Sequence, residues 1–184
     1  MDEKHRNIFK EALDWLKYIV AALVFAFLLN SFVIISAQVV SPSMESTIMT
    51  NSRIIGLRLA YVWGAPRRFD IIVFKFPDDE TVKPYVKRIV GLPGEKVEIV
   101  GGKVYIDDNL VPLDDSFINE PPRASEGPYG PYIVPEGCYF VMGDNRNNSN
   151  DSKNWNNKFV AKEKIMGKVL FSWYPKVQFF FAPK

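Results

Sequence analysis

The longest uncharged stretch of the chain lies near its N-terminus, where residues 18–40 are almost all apolar. About 20 apolar residues in a helix are enough to cross a hydrocarbon core of about 30 Å. A buried helix of a soluble domain is seldom this uniform, and the apolar region of a cleaved secretory signal is only ~7–15 residues long. The pattern therefore predicts a transmembrane helix over residues 15–36, a tail over residues 1–14 and an outer domain over residues 37–184.

Basic residues are more frequent before this span than after it. Those that flank it are Lys4, Arg6, Lys10 and Lys17 on the N-terminal side and Arg53 and Arg58 on the other. Because lysine and arginine favour the inner side of a membrane, we expect a cytoplasmic N-terminus and a domain on the outer face. The single histidine, His5, is then separated from that domain by the bilayer.

Beyond residue 40 the pattern changes to short apolar runs bounded by turn residues, which is typical of strands. The predicted strands are 53–59, 70–76, 85–90, 96–100, 103–106, 138–142 and 164–173. Gly101 and Gly102 fit a two-residue hairpin turn, whereas the proline-rich stretch 119–135 predicts a surface loop. We therefore expect a mainly β fold, a small antiparallel barrel or folded-sheet domain tethered by one N-terminal transmembrane helix.

Composition narrows the chemistry that is open to the outer domain. The 184-residue chain has a formal net charge of only +2, which argues against nucleic acid as a partner. It has one cysteine, Cys138, so neither an intrachain disulfide nor a cysteine-rich zinc site is expected. With His5 across the membrane, a histidine-dependent triad or metal site is not expected either. If the domain is an enzyme, its base is a lysine or a carboxylate.

Two segments suit nucleophilic catalysis when they are considered together. The Ser-Pro-Ser sequence that contains Ser43 is by itself a common turn. Lys87 lies on one face of a predicted strand between Tyr85 and Ile89, and an isolated strand lysine is most often an edge residue that discourages aggregation. Burial between apolar side chains can, however, lower the pKa of a lysine until it accepts a serine proton.

A polar loop with the sequence MGDNRNNSNDSK covers residues 142–153. On composition alone it is a solvated, asparagine-rich loop. The functional interpretation is a shell around the reacting groups, in which a serine hydroxyl orients the lysine amine and charged residues hold the loop in place. Those charged residues are Asp144, Arg146, Asp151 and Lys153.

The order of these segments resembles the type I signal peptidase family, membrane-bound serine proteases that remove leader peptides from exported proteins. The matching segments are SPSM at 41–44, DIIVFK at 70–75, YVKRIVGLPG at 85–94 and MGDNRNNSNDSK at 142–153. The resemblance extends from about residue 15 to about residue 175. The chain departs from the family at Ser46, where a proline is usual.

The resemblance implies a serine endopeptidase with Ser43 as nucleophile and Lys87 as general base, and it implies no metal or other cofactor. Ser149 falls on the family's serine that positions the lysine amine. Ser41 falls on a position that, in one branch of the family, adds its hydroxyl to an oxyanion hole beside the N–H of Ser43. The structural charged positions of the last segment are matched by Asp144, Arg146 and Asp151.

The family binds its substrate as an extended strand, which implies binding between residues 37–41 and 84–87 of this chain. The residues expected to contact substrate are Ala37, Val39, Val40, Met44, Ile48, Pro84, Tyr85 and Val86. The implied substrates are signal peptides of secretory preproteins. The implied location is the cytoplasmic membrane, with a single span and the catalytic domain outside, in contact with the lipid bilayer and with the export translocon as a candidate partner.

Three alternative interpretations stay open at this point. A self-cleaving repressor resembles this fold and its serine–lysine chemistry, but such proteins are soluble and carry a DNA-binding domain, against which the span argues. A processing peptidase for pilin-like or conjugative substrates would share the same segments. A non-catalytic, membrane-anchored β binding module would be expected to have lost the serine or the lysine, and both are present.

Overall fold

A computed structural model of the chain describes residues 3–79, 81, 83–118, 120–125 and 127–181. It divides into two compact units, Met1–Ile34 and Ile35–Lys184.

The first unit is one helix. Helix α1 spans Glu3–Leu28 and continues into a π-helical turn at Leu29–Val33. The segment Leu13–Val33 is long and apolar enough to cross a membrane by length and composition, with a mean hydropathy of 2.0. The helix begins well before residue 15 because the preceding tail is rich in helix-favouring Glu, Lys, Ala and Leu. The side chains of Lys4, His5, Arg6 and Lys10 lie outside the described part of the structure, so the predicted orientation of the span stays a prediction.

The rest of the chain is mainly β, as predicted. The strands are β1 (Ile34–Gln38), β2 (Arg53–Leu57), β3 (Ile71–Phe74), β4 (Tyr85–Gly91), β5 (Lys96–Val100), β6 (Lys103–Ile106), β7 (Tyr129–Ile133), β8 (Cys138–Met142), β9 (Val160–Ala161), β10 (Ile165–Tyr174) and β11 (Gln178–Phe179). Within the described residues, one curled antiparallel sheet has the order β1-β2-β10-β3-β4-β8-β9, and β11 adds to β10. A smaller sheet has the order β6-β5-β7.

The chain leaves the helical conformation earlier than predicted. Residue 36 was the expected end of the helix, but β1 already begins at Ile34. Ile34 and Ile35 are β-branched, which favours a strand, and Ile35 is buried in the core next to Val39. The segment before the candidate serine is therefore extended from residue 34 onward.

The proline-rich stretch 119–135 is not only a surface loop, because it contains β7. Strand β7 lies at the edge of the smaller sheet and pairs with β5 alone. The register pairs Val97 with Tyr132 and Ile99 with Tyr129, and Pro131 falls at an irregularity between the two pairs. An edge position tolerates proline because no donor is required there. The Gly101–Gly102 turn is confirmed, since both residues have positive φ, 56° and 76°.

Strand β4 has one edge that is only partly paired. It pairs with β3 from Tyr85 to Arg88, whereas β8 pairs with it only from Arg88 to Gly91. Within the described residues, the β8-side edge of Tyr85, Val86 and Lys87 therefore has no neighbouring strand. An open edge of this kind can accept an additional strand.

Candidate active site

Ser43 lies in a short 3₁₀ turn, Pro42–Met44, that follows β1. Proline suits the first position of a helical turn because its φ is fixed and its missing N–H is not required there. Met44 anchors the turn from below, since it is fully buried in the core cluster with Ile48. Ser43 is itself only 5% exposed. The Oγ atoms of Ser41 and Ser43 are 3.1 Å apart.

Lys87 brings its amine to this serine from the central strand β4. Its Nζ donates a hydrogen bond to Ser43 Oγ. The side chain is 3% exposed, and its Nζ is 5.8 Å from the ring centroid of Tyr85. The predicted apolar face around Lys87 is therefore present, and the lysine is not a solvated edge residue.

Burial changes the acid–base behaviour of this lysine. Removal from water lowers the pKa of Lys87 from 10.5 to about 8. The negative charges of Asp151 and Asp144 oppose this change, whereas the positive charge of Lys153 reinforces it. Near neutral pH a substantial fraction of the amine is therefore neutral and able to accept a proton.

Asp144 pairs with Arg88 beneath the site. Arg88 donates from Nε to Oδ1 at 2.8 Å and from Nη2 to Oδ2 at 2.6 Å, and both side chains are buried. Arg88 also donates to the carbonyl of Phe69 at 2.9 Å and lies over the ring of Phe117 at 4.1 Å. The bidentate pair fixes the start of the 142–153 loop to β4.

The other charged residues of the loop hold it in two further places. Asp151 accepts the N–H of Gly143 at 3.0 Å and lies 3.7 Å from the Lys153 amine. Arg146 forms a bidentate pair with Asp115, at 2.6 and 2.7 Å. Asp115 was not predicted, because it lies 31 positions away in a segment without a recognisable motif.

Ser149 lies beside the site but does not bond to Lys87. Its Oγ is buried and has no hydrogen-bond partner in the described part of the chain. The hydrogen bond of the Lys87 amine goes to Ser43 Oγ. Ser149 packs closely on Gly143: a Cβ at that glycine would lie 2.3 Å from Ser149 Oγ and 2.3 Å from the carbonyl oxygen of Ser43. Gly143 is therefore required for the close approach of the loop to the serine turn.

A cleft of about 400 Å³ opens over Ser43 and Lys87. Ser41 and most of the residues expected to contact substrate line it, namely Val39, Val40, Met44, Pro84, Tyr85 and Val86. Ala37 and Ile48 are not among its lining residues and pack with the core cluster that contains Met44, so their predicted contact with substrate stays a prediction. Four lining residues lie outside the predicted site residues and binding segments: Pro42, Lys83, Asn148 and Asn150. Gln38 also lines the cleft and lies within the predicted segment 37–41.

A sequence signal was available for one of these four, because Asn150 is directly beside Ser149 in the matching loop. Gln38 shares a strand face with Val40, which was predicted to contact substrate. Backbone pairing also explains why Val39 and Val40 differ in exposure. Val39 donates to Ser52 and accepts from Asn51, so the next residue, Val40, reaches the cleft with its side chain 63% exposed.

A buried serine and lysine in hydrogen-bond contact, at the base of a cleft in a curled antiparallel sheet, define a serine hydrolase of the Ser/Lys type. Comparison with known proteins gives the family. The family described as signal peptidase, peptidase S26, matches residues 12–174. The chain belongs to the signal peptidase family S26, whose members are serine endopeptidases.

Proteins with a similar sequence are named signal peptidase I. Probable signal peptidase I-2 of Synechocystis sp. is 38% identical over 163 residues, which cover 86% of this chain and 72% of the relative. Signal peptidase I S of Bacillus subtilis (strain 168) is 36% identical over 173 residues, which cover 90% and 91%. A signal peptidase I from Enterococcus faecalis V583 of known crystal structure is 32% identical, covers 56% of this chain and 96% of its own, and has a TM-score of 0.47. The family match and the sequence relatives do not favour the pilin-processing or non-catalytic alternatives.

Proposed function

We propose that this protein cleaves signal peptides from exported preproteins by acyl transfer, with Ser43 as nucleophile and Lys87 as general base. The observation that carries the proposal is the buried Lys87 amine, which contacts Ser43 Oγ and whose pKa is lowered to about 8. A base with a pKa near the working pH is well suited to take a serine proton.

The proposed reaction has two steps. Neutral Lys87 takes the proton of Ser43, whose Oγ attacks the scissile carbonyl carbon, and the resulting oxyanion accepts hydrogen bonds from the Ser43 N–H and the Ser41 hydroxyl. The 3.1 Å separation of the Ser41 and Ser43 hydroxyls supports this part for Ser41. Lys87 then protonates the leaving amine, and a water activated by Lys87 releases the acyl group from Ser43.

The substrate is proposed to bind as an extended strand between two walls of the cleft. The unpaired β8-side edge of residues 85–87 offers backbone groups on one side, and Val40 and Ser41 form the other. Such strand addition reads the main chain and leaves selectivity to side-chain pockets. The apolar lining by Val39, Met44 and Val86 suits a small side chain at the residue before the cut.

The membrane arrangement is also a proposal. The apolar helix Leu13–Val33 supports a single span, and the basic residues before it support a cytoplasmic N-terminus. The catalytic unit would then face the outer side of the cytoplasmic membrane, where preproteins emerge beside the bilayer and the export translocon.

The test uses the purified full-length chain in detergent with a preprotein that has Ala-x-Ala before its mature start. We expect one cut, directly after that motif, when the new N-terminus is sequenced. Ser43→Ala should abolish this product while the far-ultraviolet circular dichroism spectrum stays unchanged. A stable, correctly folded wild-type protein that leaves the preprotein intact in detergent and in vesicles would contradict the proposed function.

A further inference from the structure

We propose that Asn145 is a positioning residue that turns the Pro42–Ser43 peptide so that the Ser43 N–H faces the cleft. The inference rests on the proposed function, because the oxyanion that this N–H would bind forms only in the proposed acyl transfer. In this proposal, a side chain outside the serine turn sets the orientation of the N–H that would bind the oxyanion.

Asn145 contacts both carbonyl groups that flank the serine. Its side-chain Nδ2 donates to the carbonyl oxygen of Pro42 at 3.1 Å, across a separation of 103 residues in sequence. Its backbone N–H donates to the carbonyl oxygen of Ser43 at 3.1 Å. The Pro42 carbonyl also accepts the N–H of Glu45 at 3.0 Å, which closes the 3₁₀ turn. Both peptide planes around Ser43 are thereby held.

The geometry of the peptide bond converts this contact into an orientation. In a planar trans peptide the C=O and the following N–H point in opposite directions. Holding the Pro42 oxygen against Asn145 therefore directs the Ser43 N–H away from Asn145. Ser43 is buried, and none of the loop and turn backbone hydrogen bonds of the described residues has the Ser43 N–H as its donor. A buried N–H without an acceptor is rare and is available to a ligand oxygen.

The attachment of Asn145 is itself rigid. The preceding residue, Asp144, is held by the buried bidentate pair with Arg88. Replacing the Asn145 side chain would thus leave this pair and the backbone bond to Ser43 in place and would remove only the bond to Pro42. Aspartate has the same shape but presents a carboxylate, which cannot donate to the Pro42 oxygen when it is ionised.

The test compares binding of the transition state with binding of the ground state. Full-length Asn145→Ala is assayed on the preprotein, and its inhibition by a substrate-like peptide aldehyde is compared with that by the same peptide ending in an amide. The aldehyde forms a bond between its carbonyl carbon and Ser43 Oγ, and its oxygen then occupies the oxyanion position. We expect kcat to fall about 10- to 100-fold, below the effect of removing a donor outright, with KM changed less than about twofold.

The inhibitors separate positioning from a general structural role. Aldehyde affinity should fall by about the same factor as kcat/KM, whereas amide affinity should stay unchanged. Asn147→Ala is the matched control, because Asn147 lies in the same loop but bonds to Pro121 and Arg123 instead. Its kinetic constants should equal those of the wild type.

Asn145→Asp provides a second, isosteric variant in case the alanine variant does not fold, and it should lose at least as much kcat. If a folded Asn145 variant cleaves the preprotein with a kcat within twofold of the wild-type value, the inference is overturned. The proposed function is unaffected by that result. Equal losses of aldehyde and amide affinity would overturn the inference as well. Failure of the wild type to cleave would instead count against the proposed function.

Discussion

Lys87 has two opposing influences on its pKa, and burial is the larger. The amine is surrounded by protein, which disfavours its charged form, while Asp151 and Asp144 favour that form. The net result is a pKa of about 8, compared with the usual 10.5 of a lysine in water. A lysine in water would be almost entirely charged near neutral pH, so its position in the fold is what makes Lys87 usable as a base.

The pH dependence of kcat/KM should report this group. Because the base must be neutral, kcat/KM should rise with pH and level off above pH 9, with a midpoint near the pKa of about 8. About a tenth of the lysine is neutral at pH 7 and about half at pH 8, so the rate should rise about fivefold between them. A steady-state pH series from 6 to 10 on the preprotein measures this. A flat profile, or a midpoint near 10.5, would contradict it.

Asp151→Asn should move that midpoint to lower pH. The carboxylate of Asp151 raises the pKa of Lys87, and the amide oxygen of asparagine can still accept the N–H of Gly143. Lys153→Met should move the midpoint the other way, since the charge of Lys153 lowers the pKa of Lys87. The same pH series on both variants measures the two shifts, and shifts in one common direction would refute the electrostatic explanation.

At the scale of single residues, the sequence predicted that Ser43 and Lys87 would come together, and the structure places them in contact. The sequence predicted fewer of the residues that hold them in place. Ser43 and Lys87 stood in recognisable segments, and exclusion of histidine from the outer domain pointed to lysine. Ile48 is apolar like Met44, and the sequence alone does not distinguish a core residue from one that lines the cleft. Asn145 and Asp115 act through contacts with distant segments. No local sequence pattern predicts such contacts.

At the scale of elements, the site depends on the packing of the 142–153 loop against β4. Strand β4 carries Lys87 and Arg88 to opposite faces, as alternation requires. The first reaches Ser43, and the second holds Asp144. One strand therefore provides the proposed base and also fixes the loop that carries Asn145 against the serine turn.

Breaking the Arg88–Asp144 pair should strongly destabilise the packing of this loop against β4. Both side chains are almost fully buried, with 4% and 1% exposure, so removing either partner leaves an uncompensated charge. Arg88→Met and Asp144→Leu should each lower the free energy of unfolding by about 3–5 kcal/mol, and the double variant should lose less than the two losses combined. Urea unfolding followed by tryptophan fluorescence measures this, and strictly additive losses would contradict a coupled pair.

The predicted strands were largely correct in position, but the pairing order was not accessible from the pattern. Periodicity places β4 and β10 along the chain, whereas the position of β10 between β2 and β3 depends on long-range contacts. Strand β7 was missed because prolines normally interrupt strands, and an edge position relaxes that rule. The helix-to-strand change at Ile34 was placed three residues late, since isoleucine is apolar in either conformation.

At the scale of the whole molecule, the chain divides into an N-terminal unit with the apolar helix Leu13–Val33 and a β unit. The helix is long and apolar enough for the proposed membrane span, and the β unit contains the described residues that line the cleft. This division was predictable because an uncharged stretch long enough to span a bilayer differs sharply in composition from the strands that follow.

The proposed orientation can be tested with a single reporter cysteine. Cys138→Ser removes the chain's only cysteine, and Trp63→Cys places one at a position where the native side chain is 88% exposed. A membrane-impermeant maleimide should label this double variant in intact cells from which any outer membrane has been removed. Labelling that requires permeabilised cells would contradict an outer catalytic unit, and the Cys138→Ser variant alone is the background control.

The central claim is that Ser43 and Lys87 act as one catalytic unit. The most direct test is the rate of preprotein cleavage by the full-length wild type, Ser43→Ala, Lys87→Met and the variant with both changes, each confirmed as folded. Because neither group works without the other, each single variant should lose as much activity as the double variant. Substantial cleavage by either single variant, or losses that add in the double variant, would contradict the claim.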